Sequence, residues 1–206
     1  MKRFAFALAV TGICLLGSNE GLAQQKHHEM KSMSKEDSSY NKKTEIVKTE
    51  AGTKLLPVNA KVAVSINGII EHYLNLKDAL VNDKSKEASD AGKEITNVMV
   101  TLDKSLLTAE QKKLYEDIED DIKEHAEHIS ENAGNIEHQR EHFDILSKDV
   151  YDLVKAFGSV QVLYKDFCPM YNDKKGAIWL SETKTIKNPY YGKKMRTCGS
   201  VQEEIK

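Results

Sequence analysis

Apolar residues recur at three- and four-residue steps through the middle of the chain, and each such run makes one stripe along a helix. Val62, Ile66, Ile69, Tyr73, Leu76 and Leu80 mark a first helix from about residue 59 to 81. Pro57 bars an earlier start, and Asn59 is placed to cap it. A break at residues 82–84 precedes a second helix over 85–102, with Ala88, Ala91, Ile95, Val98, Met99 and Leu102 facing inward. Gly92 inside it either weakens the helix by about 1 kcal/mol relative to alanine or admits a close neighbour. The string Thr108-Ala109-Glu110-Gln111 is a capping-box pattern that opens a third helix ending near Glu131, with Leu114, Ile118, Ile122 and Ile129 on one side. After a turn around Gly134, a fourth helix over 136–157 buries Ile136, Phe143, Leu146, Val150, Leu153, Val154 and Phe157, and Gly158 ends it. Four amphipathic helices with short connections predict a mainly α fold, an antiparallel four-helix bundle over residues 56–158.

Beyond Gly158 the period changes. Val160, Val162 and Tyr164 alternate, residues 177–180 form a short apolar run, and Pro169, Gly176, Pro189 and Gly192 punctuate the rest. Residues 159–206 therefore read as a small irregular or β cap on the bundle. Trp179 is expected to anchor this cap with its ring buried and its indole N–H paired. Tyr190 and Tyr191 read as filling for the seam.

The N-terminus carries a different pattern. Lys2 and Arg3 precede an apolar run over 4–17, too short to span a bilayer, and Gly21-Leu22-Ala23 offers the small residues of a cleavage site. A signal peptide over 1–23 and export to the periplasm are the expectation, with no membrane span after cleavage. Cys14 follows a bulky Ile13, which argues against a lipid anchor. Residues 24–55 are polar and without period, so they read as a disordered leader.

Charge narrows the partners. With 30 basic against 32 acidic residues the net charge is -2, which excludes a nucleic-acid footprint. Removal of residues 1–23 leaves 28 basic and 31 acidic residues, and two of the three cysteines.

Those two cysteines frame the candidate chemistry. Cys168-Pro169-Met170 and Met195-Arg196-Thr197-Cys198 place two thiols and two thioethers at the ends of one segment, and soft donors of this kind suit Cu(I), with Ag(I) or Zn(II) also accommodated. Cys168, Met170, Met195 and Cys198 are the first candidate metal set. The alternative is a Cys168–Cys198 disulfide that pins the cap, worth roughly 3–4 kcal/mol for a loop of about 30 residues. A secondary set is formed by His27, His28, Met30 and Met33 in the leader and by His138 and His142, four apart on the fourth helix. On the third helix His125 and His128 are three apart, and by helical phase His125 points at the core. His142 falls at the edge of the apolar arc and His138 outside it. The string His138-Gln139-Arg140-Glu141-His142 fits the H-x-x-E-H pattern of inverted zinc peptidases, but the chain beyond Phe157 is too short for the rest of such a domain. The chain reads as a non-enzyme.

Several strings together carry a family resemblance. They are residues 73–81 (YLNLKDALV), 139–143 (QREHF) with Leu146-Ser147, 167–170 (FCPM), 179–181 (WLS), 188–192 (NPYYG) and 195–199 (MRTCG). Over residues 58–204 the chain resembles a family of small exported domains of unknown function, found alone or fused to the periplasmic adaptor (membrane-fusion) proteins of heavy-metal efflux systems. The resemblance implies a periplasmic role near copper or silver export and a heavy-metal efflux adaptor or other envelope protein as partner. It supplies no activity. Two readings of function follow: a metal-binding protein that buffers or hands over Cu(I), or a metal-free interaction module of the envelope held by a disulfide.

Overall fold

The helical periods and the caps that bound them are realised in a computed structural model that describes residues 57–206. The signal-peptide and leader readings, with His27, His28, Met30 and Met33, lie outside the described residues. Four long helices run over Ala60–Val81 (α1), Ser85–Val100 (α2), Ala109–Glu131 (α3) and Ile136–Phe157 (α4). Asn59 caps α1 by accepting from the Lys61 N–H at 2.9 Å, and Thr108 and Gln111 close the expected capping box on α3. Gly158 stops α4 with φ +79°. Helix α2 ends at Val100, not Leu102, which lies in the turn that follows.

Each helix packs on the next, and α4 returns to α1. The core between them holds Ile66, Tyr73, Leu80, Ile95, Tyr115, Ile122, Phe143 and Val150. Gly92 packs tightly against α3: a Cβ there would stand 2.8 Å from the Ala126 carbonyl oxygen. A side chain would push the helices apart, so close approach is the reason for this glycine. One phase differs from expectation. Leu114 is 41% exposed, and Tyr115, with Gln111 and Ala126, takes the inward positions of α3. The larger ring fills the site against Phe157 edge-on, which turns Leu114 to the rim.

The tail forms a three-stranded antiparallel sheet of Leu163–Cys168 (β1), Ala177–Ser181 (β2) and Ser200–Ile205 (β3), in the order β2-β1-β3. The alternation from Val160 does not start a strand. Val160 is 83% exposed, and pairing begins at Leu163 because β3 reaches back only to Ile205 opposite it. Strand β2 lies against α4 and buries Ala177, Trp179 and Leu180. Trp179 is fully buried as the anchor, but its indole Nε1 has no hydrogen-bond partner, contrary to expectation. Tyr73 ties helix to sheet: its hydroxyl lies 2.8 Å from Ser147 Oγ on α4 and accepts the Leu180 N–H of β2 at 3.0 Å. Among the described residues no helix is long and apolar enough to cross a membrane.

Candidate metal-binding sites

Sheet register brings the two cysteines together. Phe167 of β1 pairs with Ser200 of β3 in antiparallel sense, so the residues just after Phe167 meet those just before Ser200. Cys168 is the last residue of β1 and Cys198 stands two before β3, and their Sγ atoms lie 3.0 Å apart as free thiols. Gly199 makes the approach possible. Its φ is +133°, and a Cβ there would stand 2.8 Å from both the Phe167 carbonyl oxygen and Trp179 Cη2. Only a residue without a side chain lets the strand pass so close over the tryptophan.

The loop over residues 188–198 is built around Asn188, which is fully buried. Its Oδ1 accepts the N–H groups of Tyr190 and Tyr191, its Nδ2 donates to the Cys198 carbonyl at 2.8 Å, and its own N–H donates to the Arg196 carbonyl. Asn188 therefore sets where Cys198 sits. Cys168 is wholly buried and Cys198 is half-buried, so access to the pair is from the Cys198 side. The shared hydrogen bond with Cys168, then burial, pushes the Cys198 thiol up to about 11. Burial, then the two sulfurs, raises the Tyr191 phenol as well.

The thioethers are placed differently. Met170 and Met195 are 44% and 41% exposed, and the hydrogen bonds at these positions use their backbone: the Met170 carbonyl accepts from Tyr191 Oη at 2.8 Å, and the Met195 carbonyl accepts the Cys198 N–H at 3.1 Å. Met170 opens a turn in which Asn172, Asp173 and Lys174 all take positive φ, an uncommon run for residues with side chains. The structure thus brings the two thiols together and leaves the two methionines at the surface beside the same segment.

A second donor cluster lies where α3 ends and α4 begins. His125 does not enter the core as its phase led one to expect: Ala126 takes the inward position, His125 is half-buried, and its Nδ1 lies 3.0 Å from Nδ1 of His142 on α4. The rings of His128 and His142 stack with centroids 4.3 Å apart and planes 3° from parallel, while His138 meets His142 edge-on at 4.6 Å. His138 Nδ1 lies 3.1 Å from Glu141 Oε2. Ring nitrogens of His128, His138 and His142 all lie within 4.8 Å of one another. Burial, then the neighbouring His128, His125 and His138, pushes His142 down to about 4, and burial lowers His125 too. Both shifts favour the neutral imidazole, the form that ligates a metal. Sequence spacing showed each pair on its own helix; it did not show that the α3 and α4 pairs converge, nor that His128 joins them. A groove of about 370 Å³ lined by Asn67, Glu71, Asp78 and Glu182 shares no residue with either cluster.

Residues 69–161 match the model of a family described as "Protein of unknown function (DUF3347)". That span takes in most of α1, the whole of α2 to α4 and all four clustered histidines, and it stops before β1 and both cysteines. It is shorter than residues 58–204, the span of the family resemblance. No curated protein and no solved structure matches the chain.

Proposed function

We propose that this chain is an exported, non-enzymatic metal-binding protein that holds a soft monovalent ion, Cu(I) or Ag(I), between Cys168 and Cys198 and passes it on by ligand exchange. The observation that carries this reading is the pair of free thiols 3.0 Å apart, one of them reachable from solvent. Two thiolates form a donor set that magnesium and calcium do not favour and that monovalent copper does. An ion bound in a line between two sulfurs holds them farther apart than their present 3.0 Å contact. Cys198, on the loop and half-buried, is the side chain that swings to make that room. Met170 and Met195, exposed on the same segment, supply thioethers at the rim for capture and release. The antiparallel four-helix bundle serves as the rigid body that carries the cap. A heavy-metal efflux adaptor of the periplasm is the proposed recipient, on the sequence resemblance set out above.

Both thiols must lose a proton to bind the ion. Cys198 resists this because its thiol is raised to about 11, so apparent affinity rises with pH. Anaerobic titration of the reduced chain with Cu(I) against a competing chelator tests the site. One equivalent bound more tightly than micromolar, and lost in Cys168→Ser/Cys198→Ser, is the expected result. Unchanged affinity in that double variant sinks the reading.

The same 3.0 Å contact favours a second reading, in which the cysteines oxidise to a disulfide and the chain is a metal-free interaction module of the envelope. Alkylation of unreduced protein followed by mass measurement separates the two. In the chain without residues 1–23, two alkyl groups added favours the ion, and none favours the bridge.

A further inference from the structure

The histidine cluster is independent of the thiol pair. His128 comes from the last turn of α3 and His138 from the first turn of α4, and His142 follows one turn later on the same face. Nδ1 of His138 meets the Glu141 carboxylate at 3.1 Å, and Nδ1 of His142 meets His125 at 3.0 Å, which leaves Nε2 of these two rings to ligate, while Nε2 of His128 lies 4.0 Å from Glu124 Oε1. An imidazole held through one nitrogen by a carboxylate or a second polar group, with the other nitrogen presented, is the arrangement that orients metal-bound histidines.

We propose that His128, His138 and His142 form a three-imidazole site for a divalent borderline metal ion, of the zinc(II) and copper(II) class, with a fourth position open to water or an added ligand. Imidazole donors select this class, whereas the paired thiols select a soft monovalent ion, so the chain carries two sites of different preference. Metal–nitrogen bonds of about 2.0–2.1 Å need the three nitrogens closer than their present spread of 4.8 Å. The rings are half-buried, and turning His128 off its stack on His142 brings them in. His125 and Glu141 touch the ligands and not the ion; they are positioning residues.

The test uses the full chain carrying Cys14→Ser, Cys168→Ser and Cys198→Ser, so that thiols take no part. It is titrated with zinc(II) by calorimetry and with cobalt(II) by visible absorption. The expected result is one sub-micromolar equivalent of zinc and the visible bands of four-coordinate cobalt. Removing two ligands in His138→Gln/His142→Gln weakens zinc by about 100-fold or more, Glu141→Gln weakens it by about 10-fold, and His72→Ala leaves it unchanged. The glutamine variants keep side-chain bulk at a half-exposed site, and unaltered far-UV circular dichroism verifies that they fold. Absence of a saturable equivalent overturns the proposal. So does zinc binding that survives His128→Gln/His138→Gln/His142→Gln, as it would if His27 and His28 held the ion.

Discussion

Arg140 Nη2 donates to Asp83 Oδ1 at 2.6 Å, and this one pair joins the N-terminal part of α4 to the turn between α1 and α2. The same guanidinium donates to the Leu80 carbonyl at 2.9 Å and, through Nε, to the Pro189 carbonyl at 2.8 Å. Arg140 is thus a buried clasp between two helices and the loop that positions Cys198. Burial raises the Asp83 carboxyl, but the Arg140 hydrogen bond and the Lys193 N–H outweigh it and hold the group below its usual value. Gly192, with φ +52°, passes so near Asp83 and Arg140 that a Cβ would collide with both.

Arg140→Met removes a donor from the Leu80 and Pro189 carbonyls and the charged partner of the partly buried Asp83, and it is expected to cost about 3–5 kcal/mol in urea unfolding. Gly192→Ala, through collision and backbone strain, is expected to destabilise in the same direction. Both variants should also speed alkylation of Cys198, because the loop that holds it loses its tie to α4.

Tyr73→Phe removes one hydroxyl, strands the Leu180 N–H and takes one partner from Ser147 Oγ, inside the seam between helices and sheet. The expected loss is about 1–3 kcal/mol. Faster hydrogen exchange at the Leu180 amide, with the centre of α2 unchanged, would locate the loss at this seam. Uniform exchange throughout would contradict it.

Asp166 on β1 is fully buried with neither carboxylate oxygen hydrogen-bonded. Burial pushes it up to about 7, Lys77 pulls it down and Glu182 raises it further. The unfolded carboxyl ionises near 3.8, so between that value and about 7 the folded chain binds the extra proton, and stability falls as pH rises through this window. Relative to wild type, Asp166→Asn should gain on the order of 2–4 kcal/mol from pH 4 to pH 8 and then level off. Urea unfolding at several pH values reads this directly, and a constant difference would refute it.

Glu203 on β3 has the opposite sign. Its Oε1 accepts from Lys155 at 2.8 Å, and its Oε2 accepts from Tyr151 at 2.7 Å and lies 3.3 Å from Lys165 Nζ. Burial alone would raise it, but these hydrogen bonds and charges bring it down to about 2. Its contribution is complete above about pH 4.5 and is lost as pH falls toward 2. Glu203→Gln should cost about 1–3 kcal/mol at pH 7, with the difference closing in acid. Thermal unfolding of the two proteins at pH 7 and pH 3 checks it.

By itself the sequence determined the four helices, their caps at Asn59 and Thr108, the stop at Gly158 and the change of period that begins the tail. Those signals are local: an apolar stripe, a cap and a glycine each act within a few residues. It also singled out Cys168 and Cys198 as the cysteines left beyond the apolar N-terminal run, and it showed His138 and His142 on one face. Strand β3 was not legible, because it is a polar edge whose one buried side chain is Ile205. Tertiary structure alone decided the rest. The two thiols meet through the pairing of β1 with β3 and the bare backbone of Gly199. The histidines converge only because α3 and α4 pack against each other across a short turn, which sets His128 against His142. The burial of Arg140 and Asp166 follows from which surfaces face each other. No local period encodes that, because a side chain's environment is set by neighbours distant in sequence.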